Sequence, residues 1–260
     1  MYDYMNTSNY LYLSTFKIGK KILVYPKDYY LFLKEQYIFD IYRSYLIRKG
    51  DTVLDLGANI GAFTVLASKK TGPKGKVIAI EPHKEDFELL KQNLVLNACK
   101  NVIPLHVGVG KSETVEIEFW GRRFSCEMKP LGKILEEINL SSAVDFIKMD
   151  IEGFEVQTIA DSPKVFGGAR VISAECHSNK NAVDELLIPN GFVFHPLTTS
   201  YILKRLFRAA LLYPLQSLSA VFDTYKRNPK VVVKILSHGF ARPGETSDEH
   251  GIVVGSYVRT

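Results

Sequence analysis

The stretch Asp51-Thr-Val-Leu-Asp-Leu-Gly-Ala-Asn-Ile-Gly61 decides the fold of this chain. Val53 and Leu54 predict a short apolar strand. Gly57 and Gly61 predict a tight turn that leads into a helix ending near Lys70. A second apolar strand, from about Lys76 to Ile80, runs directly into Glu81. A strand, a glycine turn, a helix, a strand and a terminal acid in this order are typical of half of a nucleoside-binding α/β fold.

The spacing of the turn indicates which nucleoside is bound. Dinucleotide sites carry Gly-x-Gly-x-x-Gly, whereas this chain has Gly57-x-x-x-Gly61, with Asp55 two residues before the first glycine. A carboxylate there would repel a pyrophosphate but suits a ligand that carries an ammonium and a sulfonium group, as S-adenosylmethionine does. An aspartate at a strand end is also a common turn former or helix cap. Combined with Glu81, which is placed to accept both ribose hydroxyls, the pattern favours S-adenosylmethionine.

A second informative stretch is Phe146-Ile-Lys-Met-Asp-Ile-Glu-Gly-Phe-Glu155. Asp150, Glu152 and Glu155 follow a predicted strand, at the edge of the sheet where open α/β folds bind ligands. We expect Asp150 to lie across the crevice from Gly57. Clustered acids can also bind a divalent cation, but no further oxygen-ligand pattern accompanies them, so we assign no metal ligands.

The remaining chain divides into two predicted parts. Residues 1–49 contain ten of the fourteen tyrosines, a predicted hairpin over Thr15–Tyr25 that turns at Gly19-Lys20, and a predicted helix from about Tyr30 to Arg48. From residue 50 onward strands alternate with helices, which predicts a mostly parallel sheet within a domain over 50–260. Val115-Glu-Ile-Glu-Phe119 alternates apolar and acidic residues, which predicts a further strand, and the fifth strand of the sheet leads into Cys176-His177.

The net charge of +5 is unevenly distributed. Between Tyr201 and Pro243 eight lysines and arginines stand against one aspartate, a net charge of +7, so the rest of the chain is slightly acidic. This segment lies in an insertion over about 198–250, and its start predicts an amphipathic helix with basic residues outside the apolar face. We weigh three roles for it: a lid packed on the N-terminal region, a homodimer element, or a peripheral membrane contact.

Composition limits the location of the protein. The three cysteines, Cys99, Cys126 and Cys176, are scattered and form no metal-binding pattern, which favours a reducing compartment. The N-terminal residues have neither the basic start nor the apolar run of a signal peptide, so we expect a cytoplasmic protein.

The two motifs, together with Val77-Ile-Ala-Ile-Glu-Pro-His83 and the region Asn93–Asn97, resemble the FkbM family of S-adenosylmethionine-dependent methyltransferases from about Glu35 to Glu175. The resemblance implies a class I methyltransferase fold, with a seven-stranded, mostly parallel sheet, an antiparallel last strand and helices on both faces. It also implies O-methylation of a hydroxyl on a sugar or small metabolite. Carried over by position, the cofactor-binding residues are Asp55, Gly57, Asn59, Gly61 and Glu81.

By the same resemblance, Asp150 and Glu152 lie at the methyl-transfer end of the crevice. An alcohol acceptor must lose its proton as the new bond forms, and the candidates for the base are Asp150, Glu152 and His177. His177 can equally be a loop histidine with satisfied hydrogen bonds.

Two other functions remain open at this level. A non-catalytic binding module would retain the fold and use the basic segment for attachment. An RNA methyltransferase would act on nucleic acid; against it, the chain lacks the Asn/Asp-Pro-Pro-Tyr/Phe tetrapeptide of amino-methylating enzymes. We therefore expect a small-molecule or sugar acceptor and no nucleic-acid partner.

Overall fold

The structure is a computed structural model that describes residues 13–26, 29, 33–119, 122–140, 143–214 and 252–260. The strands are β1 (Leu13–Ile18), β2 (Lys21–Pro26), β3 (Thr52–Leu56), β4 (Lys76–Ile80), β5 (Val102–Leu105), β6 (Gly108–Val109), β7 (Glu113–Phe119), β8 (Arg122–Lys129), β9 (Phe146–Met149), β10 (Val171–His177), β11 (Phe192–Pro196) and β12 (Ile252–Arg259). The helices are α1 (Ala62–Thr71), α2 (Lys84–Leu96), α3 (Leu131–Glu137), α4 (Glu155–Asp161), α5 (Pro163–Gly168), α6 (Lys180–Leu187) and α7 (Thr199–Leu212).

The central sheet has seven strands in the order β11-β12-β10-β9-β3-β4-β5. β12 pairs antiparallel with both β10 and β11, and the other neighbours pair in parallel. This arrangement confirms the predicted class I methyltransferase sheet. The chain leaves β3 towards β4 on one side and returns to β9 on the other, so a crevice opens at the carboxyl ends of β3 and β9, where both sequence motifs end.

Both faces of the sheet are covered. Leu54 and Leu56 pack into one hydrophobic cluster, whereas Val53 between them packs into another on the opposite face. Successive strand residues point to opposite faces, and strands buried on both faces are therefore apolar throughout. Burial on both sides places the functional side chains at the strand ends.

The predicted N-terminal hairpin is confirmed. β1 and β2 pair antiparallel around a turn in which Gly19 has φ +57°, a left-handed conformation that favours glycine. The hairpin is attached to α2, because the side-chain oxygens of Asn93 and Asn97 accept hydrogen bonds from Val24 N (2.7 Å) and Ile22 N (3.1 Å). These asparagines therefore satisfy backbone groups of β2 on the side where no described strand pairs with it.

The predicted helix from Tyr30 to Arg48 is wrong. Tyr30 lies outside the described residues, and further on a short π-helical turn at Glu35–Phe39 gives way to Asp40 and Arg43, which have φ values of 50° and 49°. The carboxylate of Asp40 accepts a hydrogen bond from Ser44 N at 2.8 Å, a local pattern that competes with helical bonding. The break turns Tyr42 into the core, where its side chain is fully buried.

A three-stranded sheet in the order β6-β8-β7 was only partly predicted. The sequence indicated β7 but not its partner β8, in which buried Cys126 and Met128 alternate with exposed polar residues. Because one face of β8 is buried and the other exposed, its apolar residues form only a short and weak pattern in the sequence.

The start of the basic insertion forms α7, as predicted, and residues 215–251 lie outside the described part of the chain. Within the described residues, no helix combines the length and the apolar character needed to cross a membrane. The three cysteines are free and buried.

Candidate functional site

The glycine turn after β3 is packed tightly against the end of β9. A Cβ atom on Gly57 would lie 1.9 Å from the carbonyl oxygen of Asp150, and one on Gly61 would lie 2.5 Å from Leu90 Cδ1. Both glycines also have positive φ, 76° and 85°. Glycine is therefore required by packing within the chain itself, and this packing brings the turn and Asp150 together as the sequence predicted.

Glu81, at the end of β4, is buried and held by backbone amides. Its two carboxylate oxygens accept hydrogen bonds from Asn59 N and His83 N, each at 2.7 Å. Burial, together with the negative charge of Asp86, raises the pKa of Glu81 to about 8 in spite of these two donors. The carboxyl group is thus fixed in position, with acceptor capacity left on each oxygen.

Asn59, in the glycine turn, has a buried polar atom without a partner. Its backbone has φ 51°, its Nδ2 donates to Asp86 Oδ2 at 3.2 Å, and its buried Oδ1 makes no hydrogen bond. An unsatisfied buried acceptor costs about 1–3 kcal/mol. The acceptor beside Glu81 fits a ligand with hydroxyl or amino donors, which S-adenosylmethionine provides.

Asp55 lies beneath the glycine turn, where it is 0% exposed. Its Oδ2 accepts a hydrogen bond from Thr64 Oγ1 at 2.5 Å, and its Oδ1 lies 3.6 Å from Lys148 Nζ. Burial raises the pKa of Asp55, although the charge of Lys148 opposes the shift. The carboxylate therefore supports the turn from below.

Lys148 joins the two motifs. The side chain is 1% exposed, and its Nζ donates to the carbonyl oxygens of Leu56 and Gly57 and lies 3.8 Å from Asp150 Oδ2. Buried lysines are rare unless paired, and this one is shared between the carboxylates of Asp55 and Asp150.

Asp150 and Glu175, at the ends of neighbouring strands β9 and β10, share one hydroxyl group. Tyr42 Oη lies 2.8 Å from Asp150 Oδ2 and 3.0 Å from Glu175 Oε2. Burial and the two carboxylates raise the pKa of Tyr42 well above its ordinary value, so its hydroxyl stays a donor. The phenol therefore holds two partly exposed carboxylates together at the edge of the crevice.

His177 is held between carboxylates. Its Nδ1 lies 3.1 Å from the buried carboxylate of Glu155, and its Nε2 lies 3.3 Å from Glu152 Oε2. Burial lowers the pKa of His177, but the hydrogen bond to Glu155 and the charge of Glu152 outweigh it and raise the pKa to about 9. The imidazole is consequently protonated at neutral pH, while Glu152, about half exposed, extends towards solvent.

Within the described part of the chain, one group of side chains could hold a metal ion: Asp150, Glu175 and His177. One ligand atom from each lies within 4.8 Å of the others. Two carboxylates and an imidazole suit several divalent cations. In the structure Tyr42 contacts both carboxylates, and Glu152 lies beside the imidazole.

Sequence reasoning placed Asp150, Glu152 and His177 in the crevice and missed the groups that connect them, Tyr42, Lys148 and Glu175. Lys148 carried a usable signal, because a lysine inside an otherwise apolar strand must find buried acids. Tyr42 carried no such signal, since it is one of many tyrosines in that region and its partners lie 108 and 133 positions away.

Comparison with known proteins agrees with this geometry. The model of the FkbM methyltransferase domain matches residues 55–194, more than half of the chain. The methyltransferase sdnD of Sordaria araneosa is 25% identical over 152 residues, covering 41% of this chain and 58% of that protein. The catalytic subunit TRM61 of a tRNA (adenine(58)-N(1))-methyltransferase from Yarrowia lipolytica is 42% identical over 60 residues, covering 23% of this chain and 15% of that protein.

Among solved structures, the chain is similar in fold to M. jannaschii TYW2 in complex with AdoMet, with a TM-score of 0.45 and 14% identity. The alignment covers 95% of this chain and 87% of that one. The chain thus spans between about one seventh and three fifths of the two curated relatives, and most of the solved structure.

Proposed function

Since the chain belongs to the FkbM methyltransferase family, we propose that it transfers the methyl group of S-adenosyl-L-methionine to a hydroxyl group on a sugar or small metabolite. The observation that carries this proposal is the pair of carboxylates at the ends of β9 and β10, joined by Tyr42. A hydroxyl acceptor needs a base, and the carboxylates supply one at the edge of the crevice.

In this proposal the cofactor lies against the glycine turn. Glu81 accepts hydrogen bonds from the ribose hydroxyls, and the free Oδ1 of Asn59 accepts a further donor. Gly57 and Gly61 shape the turn, and Asp55 supports it through Thr64 and Lys148. When bound, the cofactor supplies an electrophilic methyl carbon on a sulfonium.

The residues of the chain orient the acceptor and remove its proton. Asp150 takes the proton from the hydroxyl as the oxygen–carbon bond forms, and Tyr42 keeps the carboxylate in position. His177 is protonated at neutral pH and therefore acts by holding Glu152 and Glu155 in place. Holding an acceptor in line for displacement can contribute about 7–11 kcal/mol, and a base contributes about 10²–10⁴-fold in rate.

The test is a methyl-transfer screen with the full chain, S-adenosylmethionine and a panel of sugars, hydroxylated metabolites and RNA, with S-adenosylhomocysteine formation as the readout. We expect turnover with a hydroxyl acceptor, and for Asp150→Asn a loss of about 10²–10⁴-fold in kcat with a much smaller change in cofactor Kd. Asp161→Asn, an exposed acid on α4, is the matched control.

Three outcomes would contradict the proposal. Transfer confined to RNA would make the chain an RNA methyltransferase. Cofactor binding without transfer to any acceptor class would make it a binding module. Full turnover of Asp150→Asn would remove this residue from the transfer step.

A further inference from the structure

α7 has two unlike faces. The inner face packs on the N-terminal region: Ala209 and Leu206 join a hydrophobic cluster that includes hairpin residues, and the helix contacts the turn at Glu35–Phe39. Just after the helix, Tyr213 contacts the β1–β2 turn, where a Cβ on Gly19 would lie 3.1 Å from Tyr213 Oη. Arg205 Nη2 pairs with Asp40 Oδ2 at 3.2 Å and anchors the middle of the helix. Among the described residues, the helix is therefore attached by this inner side.

The outer face carries a row of exposed apolar side chains. Leu203, Phe207 and Leu211 are 43%, 70% and 71% exposed. They are spaced four residues apart, so they form one continuous stripe along the helix. The lid alternative would pack Leu203, Leu206 and Phe207 together against the N-terminal region. In the structure Leu206 packs there, whereas Leu203 and Phe207 are exposed, so the packing that a lid requires is wrong for these two.

Cations lie directly beside this apolar stripe. Lys204 and Arg208, each one position after a member of the stripe, are exposed. Three further cations, Lys21, Lys69 and Lys70, come from the hairpin and α1.

These cations act on one another. Burial lowers the pKa of Lys70. The charge of Asp40 opposes this shift, and the charges of Arg205, Lys21 and Arg208 lower the pKa further. Burial and the charge of Lys69 lower the pKa of Lys21 in the same way. Cations from three elements therefore lie close to one another beside the outer face of α7. Together with the exposed Lys204 they form what we call the basic patch (Lys21, Lys69, Lys70, Lys204 and Arg208), whereas Arg205 is paired with Asp40 on the inner face.

We propose that the outer face of α7 binds the surface of an anionic phospholipid bilayer, with the apolar stripe in the interface and the basic patch against the headgroups. A helix with an apolar face and flanking lysines and arginines has the features of an interfacial helix. The proposal concerns attachment of the protein and does not depend on the acceptor of the methyl group.

Two other occupants fit this surface less well. RNA would satisfy the basic patch but offers no apolar phase for Leu203, Phe207 and Leu211. In a two-fold dimer through this face, each basic patch would meet the same patch of the second copy, and like charges would repel.

The test is co-sedimentation of the full chain with vesicles of phosphatidylcholine alone or with 30% phosphatidylserine, at low and high salt. We expect binding to the anionic vesicles that weakens with salt. Removing two cations in Lys204→Gln/Arg208→Gln should weaken it about 30-fold, since each contributes about 1 kcal/mol near an anionic surface. Phe207→Ser/Leu211→Ser should weaken binding while leaving its salt dependence in place.

Lys133→Gln/Lys164→Gln, two exposed lysines on α3 and α5, is the control of equal charge and should bind as the parent does. All substituted residues are exposed, and circular dichroism checks that each variant is folded. The proposal is overturned if the chain binds neither vesicle type at low salt. It is equally overturned if the α7 variants bind vesicles like the control, or if they lose RNA binding or dimerisation instead.

Discussion

The two acidic regions at the edge of the sheet differ in what holds them. Glu81, after β4, is bonded to backbone amides of the neighbouring turns, whose positions are set by the fold. Asp150, directly after β9, and Glu175, near the end of β10, share the hydroxyl of Tyr42, and Asp150 also lies 3.8 Å from Lys148 Nζ. His177 lies between further carboxylates. Backbone donors suit a group that must stay in place to bind, whereas side-chain partners can be removed one at a time by substitution. The difference fits the proposal that the first region recognises the cofactor and the second takes the acceptor's proton, and it can be tested by substitution.

Lys148 connects the glycine turn, which holds Glu81 through Asn59 N, to Asp150 of the second region, so its removal should have the largest effect. Lys148→Met leaves the buried Asp55 without its cation and Asp150 without its neighbour. Removing one partner of a buried pair costs about 3–5 kcal/mol, which we expect as a loss in the free energy of unfolding measured with urea. Lys164→Met, on the exposed side of α5, is the control. A loss in the free energy of unfolding below about 1 kcal/mol would be no larger than that of an exposed ion pair. It would mean that Lys148 does not couple the two regions.

Substitution of Glu81 should separate recognition from chemistry. Glu81→Ala removes a hydrogen-bond acceptor that is charged above its pKa of about 8. We expect cofactor binding to weaken by about 1.5–3 kcal/mol in calorimetry above that pH. Glu136→Ala, an exposed acid on α3, should bind the cofactor as the parent does. Unchanged affinity of Glu81→Ala would show that the ribose lies elsewhere.

Tyr42→Phe tests whether side-chain partners organise the transfer region. The variant loses the hydroxyl shared by Asp150 and Glu175 and should be less stable by about 0.5–1.5 kcal/mol, the net worth of one hydrogen bond. We expect kcat to fall while the cofactor Kd stays constant, and Tyr45→Phe, at an exposed tyrosine, should change neither. Loss of stability with full kcat would assign Tyr42 to packing alone.

A pH dependence of stability from His177 tests the side-chain contacts of the second region. Its pKa is raised from 6.5 to about 9 in the folded protein, so its contribution is complete below pH 6.5 and is lost as the pH rises through 9. Thermal unfolding between pH 6 and pH 9.5 should show a fall in Tm that is shallower in His177→Gln.

Because the pKa of Glu81 is raised to about 8, Glu81 also lowers stability as the pH rises towards 8, in the parent protein and in His177→Gln alike. The difference between the two slopes therefore isolates the contribution of His177. His195→Gln, at an exposed histidine on β11, should keep the slope of the parent protein. Equal slopes in all three proteins would mean that Glu155 and Glu152 do not hold the imidazolium.

Much of the fold was predictable because its signals are local. The spacing of Gly57 and Gly61, the apolar runs around them and the acids after each strand predicted the central sheet and placed Glu81 and Asp150 at its edge. Such patterns repeat with the period of a strand or helix and need no knowledge of distant residues. The prediction of a helix over Tyr30–Arg48 was wrong because left-handed residues at Asp40 and Arg43 interrupt an otherwise helical spacing.

By itself the sequence determined the order of the elements, the glycine turn and the acids at the strand ends, since each of these follows from neighbouring residues. Only the tertiary structure decided which side chains those acids meet. Tyr42 and Lys148 reach their partners across 108 and 92 positions of the chain, and the exposed stripe on α7 is defined by which of its faces the hairpin covers. These contacts depend on packing between segments that are distant in the sequence. Because an unpaired buried charge is costly, burial determines which partners the acids must have, and the local sequence pattern does not show them.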